Sequence, residues 1–438
     1  MSKKFLLPII MLLSLSACSG NDPVSSSINS LNPIIDDPVF KAHEITNPEK
    51  TYNNVYQKLD EGYVNSLKSF ALDFYNLTDD LDNPVFSPVS IATCYSMLYD
   101  GALADTKAEL KSLLHYDDTF NHQEQIQKMI LNTAINSQEN GTLLDLAQSL
   151  WLHDTRFADN INQDYFKKMQ DYYFAEAYRG ILESDEMHQM LADYINAKTH
   201  DFLKVKKDDF AEYEGVLWLL NTIYLKAKWM QEFPNDYNTF NKFANLNGSA
   251  SNSVPYMRNT ISSHYYKAEN YMISSIPYKD GLTMSILLPD EGADYAKVLS
   301  DKTAIGALLE YYNTRNHMGA YITYQIPKFK SQISYDLVEY MKKLGLELCF
   351  DSDKANLFGL CQTAPKGNLY VKRTKHEAGI EVNNGGTEAA AYTIIEVDEK
   401  ASPMLDPGEV KFICNHPFTY LISTNDGLPL FMGTVNKF

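Results

Sequence analysis

The chain has 438 residues, of which 45% are hydrophobic and 12% aromatic, ample for a large buried core. Its formal net charge of -18 argues against a nucleic-acid partner, because phosphate neutralisation needs clustered Lys and Arg. Two short basic runs, Lys204-Val205-Lys206-Lys207 and Lys372-Arg373-Thr374-Lys375, read as solvated charge on a strand or loop.

At the N-terminus, Lys3 and Lys4 precede an apolar run from Phe5 to Leu15. The run is too short to span a bilayer and suits the core of a cleaved signal peptide. It ends in Leu15-Ser16-Ala17-Cys18, which resembles a bacterial lipobox. That motif implies a signal peptide over residues 1–17 and a lipid on Cys18. It predicts a bacterial lipoprotein on the outer membrane, at the periplasmic face or the cell surface, held through the lipid with no spanning segment. Residues 18–52, rich in Ser, Asn, Pro and Asp, predict a flexible tether. Beyond it no second linker, repeat or low-complexity block occurs, so residues 53–438 form one domain. Cys94, Cys349, Cys361 and Cys414 remain, and four cysteines allow three full pairings. Cys94 lies in a helix-like apolar run and reads as a buried free thiol. No Cys-x-x-Cys or Cys/His spacing suggests zinc, and no cofactor or metal is expected.

The first part of the domain is helical. Leu67, Phe70, Ala71, Phe74 and Tyr75 recur at helix spacing. Ser87-Pro88 predicts an N-cap followed by proline at the first helical position, in a helix stopped near Gly101. Thr106-Lys107-Ala108-Glu109 has capping-box spacing and predicts the start of another, carrying Leu110, Leu113 and Leu114. Strands dominate later. The run from Val216 to Leu225 is almost continuously apolar, as in a strand buried on both faces, and Leu282 to Leu288 reads likewise. Phe418–Ile422 and Leu430–Val435 flank Asn425-Asp426-Gly427, a hairpin signal. The fold class is α+β with large sheets.

One stretch resists that scheme. From Thr387 to Ser402 no proline or glycine occurs, so every residue keeps its N–H for a ladder. Thr387, Ala389, Ala391, Thr393, Ile395 and Val397 form one alternating set that can be buried. Glu388, Ala390, Tyr392, Ile394, Glu396 and Asp398 form the other, which carries the charges. This is the pattern of a half-buried strand in the place of a loop, with small side chains leading.

Six motifs in order carry a resemblance to the serpin family. Asn83-Pro84-Val85-Phe86-Ser87-Pro88-Val89-Ser90-Ile91 is similar to its helix-B signature. Asn221-Thr222-Ile223-Tyr224-Leu225-Lys226-Ala227-Lys228-Trp229 resembles its central strand, and Ile326-Pro327-Lys328-Phe329-Lys330 a later one. Gly386-Thr387-Glu388-Ala389-Ala390-Ala391 resembles the hinge of the reactive loop, and His416-Pro417-Phe418 and Leu430-Phe431-Met432-Gly433 the C-terminal strands. The resemblance implies three sheets, eight or nine helices and an exposed loop that a protease mistakes for substrate. After cleavage the loop inserts into the main sheet and drags the acyl-enzyme with it; serpin loop insertion is a standard example of strand addition and strain release. The protein would then be an inhibitor with no catalytic residue of its own. It would act as a monomer on trypsin-like serine proteases, with papain-like cysteine proteases as further targets drawn by Ile395 or Val397.

By the same resemblance Ser87, Ser90, Asn221 and His376 form a polar cluster under the sheet, and Trp229 marks the top where insertion begins. Counting from the hinge glycine puts the reactive bond at Lys400–Ala401, preferred because the inserted length sets how far the protease travels. Counting back from His416-Pro417-Phe418 gives Met404–Leu405, and the acidic run also invites cutting after Asp398. The hinge departs from the family at Asn384, where Glu is usual, and at a second glycine, Gly385, which loosens it. Tyr392 replaces a small residue on the solvent side. The rival readings are a non-inhibitory serpin and a glycan-binding surface lipoprotein. No Gly-x-Ser-x-Gly, His-Glu-x-x-His or phosphate-binding glycine loop supports an enzyme.

Overall fold

The computed structural model describes residues 8–17, 44–46, 56–78, 81–311, 317–363, 369–387 and 410–438, the first two segments as backbone alone. Among the described residues the α-helices are Glu61–Tyr75 (α1), Pro88–Gly101 (α2), Ala104–Leu113 (α3), His122–Asn132 (α4), Gln163–Asp171 (α5), Asp185–Lys198 (α6), Tyr295–Leu299 (α7), Lys302–Leu309 (α8) and Leu337–Lys343 (α9). The apolar stripe read on α1 is buried: Leu67, Phe70, Ala71, Phe74 and Tyr75 all face the interior. Ser87 caps α2 through its side chain, which accepts from the Ser90 N–H, and Pro88 is the first helical residue.

The capping box expected at Thr106 is absent. α3 begins two residues earlier, at Ala104, with no side-chain cap. Thr106 Oγ1 instead accepts the Asn356 N–H at 3.0 Å, and Glu109 accepts the N–H groups of Glu347 and Leu348. Tertiary partners took the side chains that spacing had assigned to the helix end.

One sheet contains Pro8–Ala17 (β1), Glu44–Thr46 (β2), Ile135–Ser137 (β4), Thr142–His153 (β5), Glu176–Gly180 (β6), Leu217–Lys228 (β7), Phe329–Asp336 (β13), Leu369–Asn383 (β14) and Gly386–Thr387 (β15). β14 is flanked by β13 on one side and by β1 and β15 on the other; beyond these come β7, β5, β6 and β2, with β4 folded onto β5. Among the described residues only β5 and β6 of this sheet pair in parallel. Thus Pro8–Ala17, expected in a leader, is a strand here, and Glu44–Thr46, within the expected tether, pairs with β6 at the edge.

The other sheet contains Val85–Phe86 (β3), Thr239–Ala244 (β8), Ala250–Lys267 (β9), Tyr271–Pro277 (β10), Leu282–Pro289 (β11), Met318–Pro327 (β12), Val410–Ile413 (β16), Phe418–Thr424 (β17) and Pro429–Val435 (β18). Its order is β16-β12-β9-β10-β11-β17-β18-β3, with β8 paired to β9. The third sheet of the expectation is the group β16, β12, β9 and β8; the 18-residue β9 joins it continuously to the rest. The predicted hairpin is β17–β18, closed with Gly427 at φ +81°.

The core fills the space between the two sheets. α2 lies there in contact with β7, β1 and β18, and Tyr99 alone of its residues is not buried. β7 is buried on both faces along its first nine residues, because α6 and the segment leading into β7 cover its outer side: Trp218 packs against His188 of α6 and Tyr213. All four domain cysteines are buried, with no disulfide joining them among the described residues, and the Cys94 thiol donates to the Leu219 carbonyl at 3.6 Å.

Candidate functional site: a slot in the first sheet

The space between β7 and β14 is filled by two strands from opposite ends of the sequence. β14 ends at Asn383, the chain turns through Asn384 and Gly385, and β15 returns antiparallel, with Thr387 opposite Val382 and Ala227. Farther along the same space β1 is antiparallel to both neighbours, with Pro8 opposite Tyr224 and Ile10 opposite Glu377. Partners in an antiparallel ladder change by one per residue. Continued from the Thr387–Ala227 pair, β15 would place residue 390 opposite Tyr224; continued from Thr387–Val382, it would place residue 392 opposite Glu377. Those are the positions of Pro8 and Ile10, so both ladders give β1 the register of a prolonged β15 as far as Ser14, where β1 shifts on β14.

At the mouth of the slot, Trp229 holds the turn. Its Nε1 donates to the Asn383 carbonyl at 2.9 Å, and its backbone N–H to Gly385 O at 3.1 Å. The Asn384 amide donates to Phe233 O at 2.8 Å and Asn238 Oδ1 at 2.9 Å, so this departure from the family's glutamate is a neutral anchor. Gly386 has φ +146°, and a Cβ there would lie 2.1 Å from the Ala227 carbonyl oxygen, which leaves glycine as the residue that fits. Thr387 is fully buried, its hydroxyl 2.5 Å from the Tyr278 hydroxyl, and the Tyr278 ring stacks on Trp229 with centroids 4.2 Å apart. Burial pushes the Tyr278 phenol well up against the opposing hydrogen bond to Thr387, so the pair stays neutral.

Midway along the slot, the structure brings Ser87, Ser90, Asn221 and His376 together. Ser90 Oγ donates to Asn221 Oδ1 at 2.6 Å, and the Ser87 N–H donates to His376 Nε2 at 3.2 Å, which requires that nitrogen to carry no proton. Asn221 lies on β7 directly opposite Gln148 on β5. The Asn221 Nδ2 and both polar atoms of the Gln148 side chain are buried with no hydrogen-bond partner among the described residues. A central strand of this kind is costly to leave half-satisfied. Sequence reasoning missed Tyr278, Gln148, Phe233 and Asn238; each stands far along the chain from the group it meets, and none sits in a motif.

Glu388, Ala389, Ala390 and Ala391 of the hinge, Lys400 and Ala401, Met404 and Leu405, and Cys18 lie outside the described residues. Within them, the hinge has begun to enter the sheet.

The sequence of residues 65–438 matches the model of the family described as Serpin (serine protease inhibitor). Serpin B4 of Homo sapiens is 28% identical over 369 residues, covering 78% of this chain and 90% of that protein. An uncharacterized serpin-like protein of Methanosarcina acetivorans is 27% identical over 381 residues, covering 84% of each. In fold, the thermophilic serpin tengpin in its native state superposes with a TM-score of 0.72 at 22% identity, covering 88% of this chain and 96% of that one. Thyroxine-binding globulin in complex with thyroxine gives 0.68 at 20% identity, covering 86% and 98%. With its hinge and slot in one sheet, the polar cluster joining that sheet to α2, and a family match over residues 65–438, the chain belongs to the serpin family.

Proposed function

We propose that the protein is a suicide-substrate inhibitor of serine proteases of trypsin-like specificity, with the Lys400–Ala401 bond as bait. The observation that carries this reading is the slot between β7 and β14, which takes a strand antiparallel to both neighbours in register with the hinge. Cleavage lets residues 388–399 follow Thr387 into that space. In this register the buried set falls on the inner face with Thr387, Ala227 and Asn221. The charged set falls outward: Glu388 between Lys226 and Glu381, and Glu396 beside Arg373. Thr393 arrives between Asn221 and His376, where its hydroxyl meets the unpartnered Asn221 amide. The absence of charge and proline from the inner set favours inhibition over a carrier role.

Chemically, the protease supplies the nucleophile. Its serine attacks the Lys400 carbonyl, the Lys400–Ala401 amide breaks, and Ala401 leaves with the new amine. Residues 386–400 at ~3.3 Å each then carry the acyl-enzyme about 45 Å along the sheet before water can hydrolyse the ester. The ammonium of Lys400 fits the acidic specificity pocket of trypsin-like enzymes through a charge-assisted contact. No group of the inhibitor enters the chemistry. Membrane attachment through Cys18 would place this bait where proteases reach a cell envelope, a reading supported by the lipobox sequence alone.

The test is a denaturing gel after incubation with trypsin, run beside Lys400→Ala. Wild type is expected to yield a covalent adduct that Lys400→Ala does not, with any trapping at the Asp398, Ile395 or Met404 bonds preserved in the variant. Trapping of trypsin at the wild-type rate by Lys400→Ala rules out Lys400 as the bait.

A further inference from the structure

β1 occupies the slot that the inhibitory reading reserves for the cut loop. It does so as a full partner, pairing Pro8–Leu15 with β7 and Ile10–Ala17 with β14. Pro8, Met11 and Ser14 hold the β7 register that Ala390, Thr393 and Glu396 would take on insertion, so the two segments would exclude each other residue for residue. Composition favours the leader. Pro8–Ala17 carries no charge, whereas residues 390–399 include Glu396, Asp398 and Glu399. Beside β7, which is buried on both faces along its first nine residues, the uncharged strand loses less hydration on entry.

We propose that residues 8–17 are an intramolecular placeholder: while they remain attached, they fill the slot between β7 and β14 and keep the chain a substrate rather than an inhibitor. The tether makes the contest intramolecular, with an effective concentration on the order of millimolar. Hydrolysis of the Ala17–Cys18 amide, with water supplying the carboxylate on Ala17 and the amine on Cys18, would remove the covalent link and let the strand be lost. The cut that exposes Cys18 for lipid would also open the slot, so that inhibition begins only after export. The functional half of this proposal rests on the inhibitory reading; the occupancy half does not.

Three chains separate the two. The unprocessed chain carries Cys18→Ala so that it stays uncut; a second carries Cys18→Ala with Met11→Pro and Leu13→Pro, which remove two N–H donors from β1; the third begins at Cys18. Trypsin trapping is read on gels, and amide exchange is read at 217–224 of β7 and 371–377 of β14. The expected result is trapping at least about tenfold lower in the unprocessed chain than in the other two, with slower exchange at both strands. Equal trapping by all three overturns the proposal while leaving the inhibitor intact. Should none trap, slow exchange confined to the unprocessed chain upholds the placeholder and removes the inhibitor reading, whereas equal exchange removes the placeholder as well.

Discussion

At the level of single residues, the slot rests on a few buried side chains. Thr387 is the first inward residue past the turn, fully buried, with its hydroxyl on Tyr278. Thr387→Arg would bury a cation against the neutral Tyr278 hydroxyl, so the hinge would stay out of the sheet. Trypsin should then cut the variant as fast as wild type and remain active; undiminished trapping would contradict the assigned register. Thr393 is the other test. If it meets the Asn221 amide on insertion, Thr393→Ala leaves that donor buried and unpaired, at a cost of about 1–3 kcal/mol. Denaturant unfolding of the cleaved variant should show the loss relative to cleaved wild type, with the two intact proteins alike. A loss of the same size in the intact protein would mean that Thr393 acts elsewhere.

At the level of elements, α2 ties the slot to the rest of the fold. Its start carries Ser87 and Ser90; near its end Asp100 is buried and accepts from His122 at 3.0 Å, Gln123 at 2.8 Å and the Tyr173 hydroxyl at 2.8 Å. Burial opposes ionisation of Asp100, but the hydrogen bonds, that from His122 foremost, hold its carboxyl below the ordinary 3.8. A carboxyl depressed in the native state binds fewer protons there than when unfolded, so its stabilisation is complete above 3.8 and is lost as pH falls below it. Asp100→Asn should therefore destabilise the intact protein by about 2 kcal/mol at neutral pH and flatten the fall in stability on acidification below pH ~4, as urea midpoints across that range would measure. An unchanged acid limb would assign the effect to other carboxylates.

How much of this was legible depended on how local the determinant was. β7, α1 and the β17–β18 hairpin follow from apolar runs, helix periodicity and Asn425-Asp426-Gly427, each complete within a short window. The Ser90–Asn221 and Ser87–His376 contacts join residues 131 and 289 positions apart, and only family resemblance brought them together. Nothing local marks the grip of Asn384 on Phe233 and Asn238. The Thr106 spacing misled because Asn356, distant in sequence, claims its hydroxyl. Pro8–Ala17 reads as a leader because it is mostly apolar and carries no charge, yet that same property suits a strand between β7 and β14.

For the molecule as a whole, the account is one of a sheet built with room for a strand. Whatever fills the slot completes two ladders at once and covers Asn221, so the filled state is the more stable one. Cleavage of the chain that begins at Cys18 should raise its melting temperature; equal midpoints for the intact and nicked protein would count against stored strain. The most direct measurement is amide exchange of residues 388–399 in that processed chain before and after a single cut at the loop. Insertion predicts fast exchange before the cut and strong protection afterwards across the whole segment, inward and outward residues alike, since a central strand engages both neighbours. If the segment stays fast after cleavage, the loop does not enter the sheet, and the inhibitory mechanism proposed for this serpin is wrong.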